Sequence, residues 1–275
     1  MNLMELHIHS TFSDGEQTPA EILQAAQMKE IQMLAFTDHD EIGAFHEVRE
    51  LADELGIYLI PGIELNTDGA DGELHILGYF FDPDHPKMVS HIEWRKDERK
   101  RWAERIIEKL QTLNYDVTFA DVLKFAPGDI IVRTHIAKAL VGKAYFHSAE
   151  DAYQQLLTKG NPAFVQRSAF SAKDAIALIH ACGGEAYLAH PGAYPFSIDE
   201  AALLAYGIDG IEVYHSKHSE KDVSYWKEFT EKLGLLKAGG SDCHGPGSRN
   251  PYPIGSIQPD EKAKEHWLER VGVSG

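Results

Sequence analysis

The feature that most constrains the fold is a strand-like apolar run that recurs seven times along the chain and often has a polar residue at its end. The runs cover residues 1–8, 32–37, 58–63, 74–81, 185–189, 210–214 and 235–240. Most of them meet a His, Asp or Glu at or just beyond the C-terminal end, and helix patterns separate several of them. Functional groups of parallel α/β barrels gather at that edge of the strands. The pattern therefore predicts an α/β fold with a site at this edge.

The first candidate site follows the first run. His7 and His9 are two residues apart, so in a strand their side chains share one face and can bind one cation. Asp14 follows in a Ser-Asp-Gly turn that can bring a carboxylate to the same point. Imidazole nitrogens with a carboxylate oxygen suit Zn²⁺, Mn²⁺ or Fe²⁺. The His-x-His pair alone is a weak signal, because chance histidines on a strand give the same pattern.

Later strand ends supply further candidates. The second run leads into Asp38, His39 and Asp40. His39 is the predicted ligand and Asp40 has the position of a helix N-cap, whereas Asp38 is either a partner of a histidine or a turn residue. Glu64 follows the third run among apolar residues, where a carboxylate is costly unless it is paired or bound to metal. The remaining candidates are His75 near the start of the fourth run, and His190, Asp242 and His244 at later ends.

Composition narrows the function classes. The sequence has 26 basic and 43 acidic residues and a formal net charge of −17, which argues against an extended nucleic-acid-binding surface. A small anion is still compatible with this charge, because bound divalent cations reverse the local field. Two cysteines are too few for a disulfide framework, and no apolar run of about 18 residues occurs. We therefore expect a cytoplasmic protein with no membrane span, and no pattern indicates its oligomeric state.

The alternation of strands and helices is interrupted between residues 84 and 165. This stretch contains four helix patterns and no obvious strand, with the helices at about 91–114, 118–126, 135–145 and 149–158. We predict a helical insertion domain at 84–165 over the barrel mouth, and a barrel domain formed by 1–83 and 166–275. Within the insertion, Arg133 and His135 lie at the start of a helix, which is a candidate seat for an anion. A solvated helix cap fits the same spacing equally well.

Taken together, these segments resemble the PHP (polymerase and histidinol phosphatase) family of metal-dependent phosphoesterases over residues 1 to about 82 and 165 to 250. The motifs that carry the resemblance are His-x-His (His7, His9), Ser-Asp-Gly (Asp14), Thr-Asp-His-Asp (His39), Gly-Ile-Glu (Glu64), His75, Ala-His-Pro (His190) and Gly-Ser-Asp-Cys-His-Gly (Asp242, His244). The Thr-Asp-His-Asp form and the Arg-Thr-His element resemble the branch that hydrolyses nucleoside 3′,5′-bisphosphates and short 5′-phosphorylated oligonucleotides. Cys243 stands where an apolar or aromatic residue is common in the family, and we interpret it as a packing residue.

The resemblance implies a distorted (β/α)7 barrel and a site for two or three divalent metal ions. One cation would be bound by His7, His9, Glu64 and Asp242, a second by Glu64, His75 and His190, and a third by Asp14, His39 and His244. Adjacent cations acidify a bridging water to hydroxide at neutral pH, so no protein nucleophile is needed. Glu64 and Asp242 would then be essential for catalysis. His215 and His218 are candidates for leaving-group proton donors or for partners of the ligands.

From these expectations we predict that the protein is a metal-dependent phosphoesterase that removes the 3′-phosphate of nucleoside 3′,5′-bisphosphates. Its partner would be a small phosphorylated nucleotide, with the metals on the 3′-phosphate and with Arg133 and His135 on the 5′-phosphate. Two alternatives remain open. One is a histidinol-phosphate phosphatase, which would need a pocket for an amino alcohol. The other is a non-catalytic module, against which the complete set of buried ionisable residues argues.

Overall fold

The protein has an α/β fold, as the sequence predicts. A computed structural model describes residues 3–69, 72–248 and 250–272. The strands in these residues are β1 (Leu3–Ile8), β2 (Ile31–Phe36), β3 (Tyr58–Leu59), β4 (Gly62–Asn66), β5 (His75–Tyr79), β6 (Glu185–Leu188), β7 (Gly210–His215) and β8 (Leu236–Gly240). The predicted first strand includes residues 1 and 2, and the predicted barrel domain also includes residues 70–71, 249 and 273–275. These positions lie outside the described residues.

Helices connect most of the strands. Those in the described residues are α1 (Pro19–Met28), α2 (Gly43–Leu55), α3 (Pro86–Thr112), α4 (Phe119–Leu123), α5 (Arg133–Gly142), α6 (Ala149–Ala152), α7 (Ala172–Ala181), α8 (Glu200–Tyr206), α9 (Glu220–Leu233) and α10 (Glu261–Arg270). Helix α1 shows why the local sequence forms a helix. Thr18 accepts the Glu21 N–H, the Glu21 carboxylate accepts the Thr18 N–H, and Pro19 occupies the first turn.

The strands form two sheets, in the orders β1-β2-β3 and β4-β5-β6-β7-β8. The first sheet is parallel. In the second, β6, β7 and β8 are parallel, whereas β5 is antiparallel to both of its neighbours. Isolated parallel bridges join the sheets at both sides, between Ile8 and Cys243 and between His39 and Glu64. Several strand ends therefore meet at one place, and a fully closed barrel stays a prediction.

Two strands differ from the sequence prediction. The third predicted strand is divided into β3 and β4, because Pro61 has no N–H to donate and interrupts the ladder. The fourth, β5, runs antiparallel, and its first residue, His75, pairs with Asn66 at the end of β4. Because β5 runs in the opposite direction, its first residue, His75, lies at the same edge of the sheet as the last residues of the neighbouring strands.

The predicted cap of helix α2 is wrong. The N-cap residue is Ile42 and no side chain caps the helix, whereas Asp40 is fully buried with a φ of 51°. The Asp40 carboxylate accepts hydrogen bonds from Arg99 Nε at 3.0 Å and from the Asn66 N–H at 3.1 Å. Arg99 lies 59 residues further along the chain. A local pattern could not show this partner.

The segment from residue 86 to residue 157 is helical and, within the described part of the chain, contains no strand. Its four predicted helix patterns correspond to α3, α4, α5 and α6, the last of which continues as a π-helical turn over Tyr153–Leu157. One hydrophobic cluster, which includes Trp102, Ile136 and Leu157, is built from residues of this segment and its continuation to residue 165. These helices therefore pack around a core of their own. No described helix is long and apolar enough to cross a membrane.

Candidate metal centre and the adjoining cavity

The end of β1 places His7 and His9 in the interior, with exposed fractions of 0% and 1%. Their Nε2 atoms are 3.2 Å apart. Each lies 3.1 to 3.4 Å from Glu64 Oε2 on β4 and from Asp242 Oδ1 beyond β8. Ligands about 2.1 Å from a tetrahedral metal ion lie about 3.4 Å from one another. The two histidines and the Glu64 oxygen therefore fit one cation, and the Asp242 oxygen lies within reach of both histidines.

Glu64 is shared between several histidines. Its Oε1 atom lies 2.7 Å from His75 Nδ1 and 3.1 Å from His190 Nε2. Its Oε2 atom lies 3.1 Å from His39 Nδ1, in addition to its contacts with the pair on β1. A carboxylate with nitrogen ligands at each oxygen is suited to bridge two cations.

Asp14 gathers a third group. Its Oδ1 atom lies 3.2 Å from His244 Nε2, 3.8 Å from His39 Nε2 and 3.9 Å from His9 Nδ1. The His39 ring therefore has one nitrogen toward this group and the other toward Glu64. The structure thus places all nine predicted ligands in one contiguous cluster, which is referred to below as the metal centre.

The electrostatics of the metal centre fit divalent cations. Burial lowers the pKa of His39 to about 4, so its ring is neutral at pH 7 and one ring nitrogen has a lone pair available for a cation. Burial raises the pKa of Asp14, but His244 and His39 outweigh it and hold the pKa well below its usual value. Asp14 Oδ1, His39 Nδ1 and His190 Nδ1 are buried and have no hydrogen-bond partner in the described structure. Such lone pairs are costly to bury unless a cation takes them.

A buried glutamate that the sequence analysis missed supports the metal centre. Glu212 on β7 is fully buried, and its Oε1 atom accepts a hydrogen bond from His7 Nδ1 at 2.9 Å. Its Oε2 atom accepts the backbone N–H of His190 at 2.7 Å. The sequence did carry a signal, because Glu212 ends a second Gly-Ile-Glu triplet like the one that contains Glu64.

Asp38 supports the loop after β1. It accepts the Ser10 N–H at 2.8 Å and the Ser13 hydroxyl at 2.6 Å. The Ser13 Oγ atom in turn lies 3.4 Å from His9 Nδ1. Of the two roles considered for Asp38, the geometry favours partnership with a histidine, through Ser13 rather than by direct contact.

His215 and His218 have different surroundings. The His215 Nε2 atom lies 3.3 Å from Asp242 Oδ2, and its Nδ1 atom accepts the Lys217 N–H at 3.1 Å. His218 Nδ1 donates to the Val213 carbonyl at 2.9 Å, while its Nε2 atom accepts the Gly192 N–H at 3.0 Å. Both ring nitrogens of His218 are therefore used by the backbone. The geometry does not support the proton-donor role predicted for His218, and it leaves His215 beside the metal centre.

A cavity of about 80 Å³ opens from the metal centre toward the helical segment. Since a water molecule occupies about 30 Å³ in the liquid, the space suits a small anion. The charged and metal-centre residues of its lining are Asp14, His39, His75, Arg99, Arg133 and Arg167. It is called the arginine cavity below.

The three guanidinium groups differ in their partners. Arg99 donates to Asp40, and Arg133 forms an ion pair with Glu73. Arg167 forms no ion pair with any described residue, and its buried Nε and Nη1 atoms have no hydrogen-bond partner there. Burial, followed by the charges of Arg99 and Arg133, lowers the pKa of Arg167 to about 9, so it is still a cation at pH 7. An anion in the cavity would relieve this unpaired charge.

The predicted anion seat is thus only partly arranged as the sequence suggested. Arg133 lines the arginine cavity, whereas His135 is 1% exposed and is not part of the lining. The His135 Nδ1 atom accepts the Val132 N–H at 3.4 Å, and burial lowers its pKa to about 4. His135 is therefore neutral at pH 7. Arg99 and Arg167 were missed, because no local pattern distinguishes them from surface arginines.

Comparison with known proteins identifies the family to which this protein belongs. The model of the PHP domain matches residues 5–211, and the chain belongs to this family. It is 31% identical to a 3′,5′-nucleoside bisphosphate phosphatase of Chromobacterium violaceum, over 89% of this chain and 88% of that protein. It is also 32% identical to a 5′-3′ exoribonuclease of Haemophilus influenzae, over 88% and 90% of the two chains.

The fold has a close counterpart among solved structures. The crystal structure of a proposed metal-dependent phosphoesterase from Bifidobacterium adolescentis matches with a TM-score of 0.87 at 27% identity, over 98% of this chain and 96% of that one. The resemblance and the enzyme class predicted from the sequence are confirmed. The protein is a metal-dependent phosphoesterase, which is a hydrolase.

Proposed function

We propose that the protein hydrolyses the 3′-phosphate of nucleoside 3′,5′-bisphosphates and of short 5′-phosphorylated oligonucleotides. The observation that carries this proposal is Arg167, a partly buried residue whose guanidinium has two buried nitrogens, Nε and Nη1, and no ion pair with a described residue, in a cavity that adjoins the metal centre. A substrate with two phosphates would place one at the metal centre and the other in the arginine cavity. The names of the relatives from C. violaceum and H. influenzae support these two substrate types.

The nine residues of the metal centre would hold two or three divalent cations. When bound, these ions would supply an acidified water as the nucleophile and positive charge for the phosphoryl oxygens. Glu64 and Asp242 keep the ligand atoms of separate strands within reach of one another. Arg167, Arg133 and Arg99 would bind the 5′-phosphate, and neutral His135 would support the start of α5 from behind.

The position of the 5′-phosphate defines the direction of attack. With this phosphate in the arginine cavity, the nucleoside and the leaving 3′-oxygen lie on the cavity side of the scissile phosphate. The attacking and leaving oxygens of phosphoryl transfer are roughly in line, so the water attacks from the opposite wall. His215 and Asp242 line the cavity of the metal centre but not the arginine cavity. Because His215 Nδ1 accepts the Lys217 N–H, its hydrogen is on Nε2, 3.3 Å from Asp242 Oδ2, so His215 would hold the Asp242 carboxylate in place on the side of attack.

A histidinol-phosphate phosphatase is the less favourable alternative. Histidinol carries an ammonium group, which would be repelled by the three guanidinium groups next to the metal centre. The predicted architecture belongs to the same proposal. Two sheets joined by bridges at both sides would close into a distorted (β/α)7 barrel formed by 1–83 and 166–275, with 84–165 as a helical cap that carries its own core.

The proposal is tested with three substrates and three proteins. We expect Arg167→Ala to lower kcat/KM for adenosine 3′,5′-bisphosphate by about ten- to a hundredfold, since a hydrogen bond to a charged group contributes about 1.5–3 kcal/mol. Adenosine 3′-monophosphate should change by less than about threefold, because it has no second phosphate to lose a contact. Arg101→Ala, at an exposed position of α3, is the control for loss of a positive charge. Equal losses for both substrates, or a wild-type preference for histidinol phosphate, would contradict this assignment.

A further inference from the structure

We propose that Glu212 is a positioning residue that fixes two ligands of the metal centre at once, the ring of His7 and the backbone of His190. The inference rests on the metal-binding part of the proposed function, and it does not depend on the substrate. Glu212 contacts a side chain at the end of β1 and a backbone amide just after β6. It is fully buried, and each of its two oxygens makes one of these hydrogen bonds.

The first contact determines which nitrogen of His7 carries the hydrogen. An ionised carboxylate only accepts hydrogen bonds, so the hydrogen must be on His7 Nδ1, 2.9 Å from Glu212 Oε1. The lone pair of Nε2 then points toward Glu64 Oε2 and Asp242 Oδ1. In the other tautomer, an N–H would point among the ligand atoms and exclude a cation. A carboxylate that orients a metal-binding histidine in this way is a common arrangement.

The second contact supports an unfavourable backbone. His190 has a φ of 30° and a ψ of 54°, which lies in the left-handed region that non-glycine residues seldom adopt. Its N–H donates to Glu212 Oε2 at 2.7 Å, and its ring reaches Glu64 Oε1 at 3.1 Å. The hydrogen bond from the backbone therefore helps to keep the ring at the metal centre.

The substitution Glu212→Gln separates these effects from simple loss of volume. Glutamine has nearly the same shape but only one acceptor oxygen. Its NH₂ group must therefore face either the Nδ1–H of His7 or the N–H of His190, and both of these are donors. Metal affinity should fall by about ten- to a hundredfold, the usual effect of removing such a supporting group.

The first measurement is binding of Mn²⁺ to the full-length protein in competition with a chelator, without substrate. Two variants serve as controls. Asp209→Asn changes a carboxylate that also holds a histidine ring and a backbone amide, those of His180 and Ala186, away from the metal centre. Glu98→Gln changes another buried carboxylate, which accepts the Ser168 N–H. Both controls should keep Mn²⁺ affinity within about twofold. Wild-type affinity in Glu212→Gln, or an equal loss in Glu98→Gln, would overturn the proposal.

The second measurement uses ¹⁵N NMR of the wild-type histidines in the protein loaded with Zn²⁺, a diamagnetic ion, so it does not depend on the folding of a variant. The expected result is a His7 ring with its hydrogen on Nδ1. A His7 ring with its hydrogen on Nε2 would overturn the proposal. Neither measurement uses phosphatase activity, so an incorrect substrate assignment would leave both results interpretable.

Discussion

Replacing Asp40 by alanine should destabilise the folded protein by about 3–5 kcal/mol, the usual cost of leaving a buried charge without its partner. Asp40 is 0% exposed, and its Oδ2 atom lies 3.0 Å from Arg99 Nε and 3.5 Å from Arg95 Nε. In the variant, Arg99 would lose its only carboxylate among the described residues, whereas Arg95 would keep Glu98 at 3.4 Å. If Asp40 only capped helix α2, the loss would be about 1 kcal/mol. The magnitude therefore distinguishes the two interpretations.

The assay is urea denaturation at a fixed Mn²⁺ concentration, because a cation that binds the native state changes the apparent stability. Thr18→Ala is the matched control, since Thr18 does cap a helix, and its loss should be about 1 kcal/mol. The double variant Asp40→Leu with Arg99→Met should be more stable than Asp40→Ala, because it leaves no unpaired charge. A loss for Asp40→Ala no larger than that for Thr18→Ala would refute this reasoning.

Three further predictions concern the metal centre and the surrounding structure. Glu64→Gln should abolish nearly all activity and reduce bound metal, because histidines contact both oxygens of this carboxylate. Elemental analysis of the wild type after Mn²⁺ supplementation should find two or three equivalents of metal, and fewer than one equivalent would contradict the site. Cys243→Ala should keep kcat within about tenfold of the wild-type value and lower the free energy of unfolding by about 1 kcal/mol, because Cys243 is buried in a hydrophobic cluster with Ile8. A loss of activity as large as that of Asp242→Asn would instead make Cys243 a metal ligand. Burial lowers the pKa of His91 from 6.5 to about 4, so the unfolded chain binds this proton more readily. His91 should therefore account for up to about 3 kcal/mol of the stability that is lost as pH falls from 6.5 to 4, so the loss in His91→Phe should be smaller than in the wild type by that amount; equal losses in the two proteins would contradict this.

All ligands of the metal centre except His75 could be predicted because they belong to short motifs near strand ends. The apolar run fixes the strand, the strand fixes the direction of the chain, and the motif supplies a nitrogen or oxygen at its end. His75 was assigned as a ligand by the family resemblance, and the antiparallel direction of β5 explains how a residue at the start of a strand reaches the common edge. The capping box of helix α1 was predictable for the same reason, since all of its contacts lie within four residues.

The arginine cavity and the supporting carboxylates depend on distant parts of the chain. Arg99 meets Asp40 across 59 residues, and Glu212 meets His7 across 205 residues. A side chain with a long-range partner has no local periodicity that marks it, which is why Asp40 had the pattern of a cap and Arg167 that of a surface residue. His135 and His218 show the converse, because their positions in the sequence pointed to substrate or catalysis, while backbone hydrogen bonds engage Nδ1 of His135 and both ring nitrogens of His218.

The sequence by itself therefore determined the α/β class, the family and the set of metal-binding candidates, all of which depend on contiguous motifs and on their order along the chain. Only the tertiary structure decided the orientation of β5, the partners of the buried charged side chains and the set of arginine side chains that line the cavity next to the metal centre. The physical reason is that burial and pairing of a charge depend on groups brought together by folding. For Arg167, the lack of a described ion-pair partner for its guanidinium, two of whose nitrogens are buried without a hydrogen bond, is what marks it as the candidate contact for a phosphate.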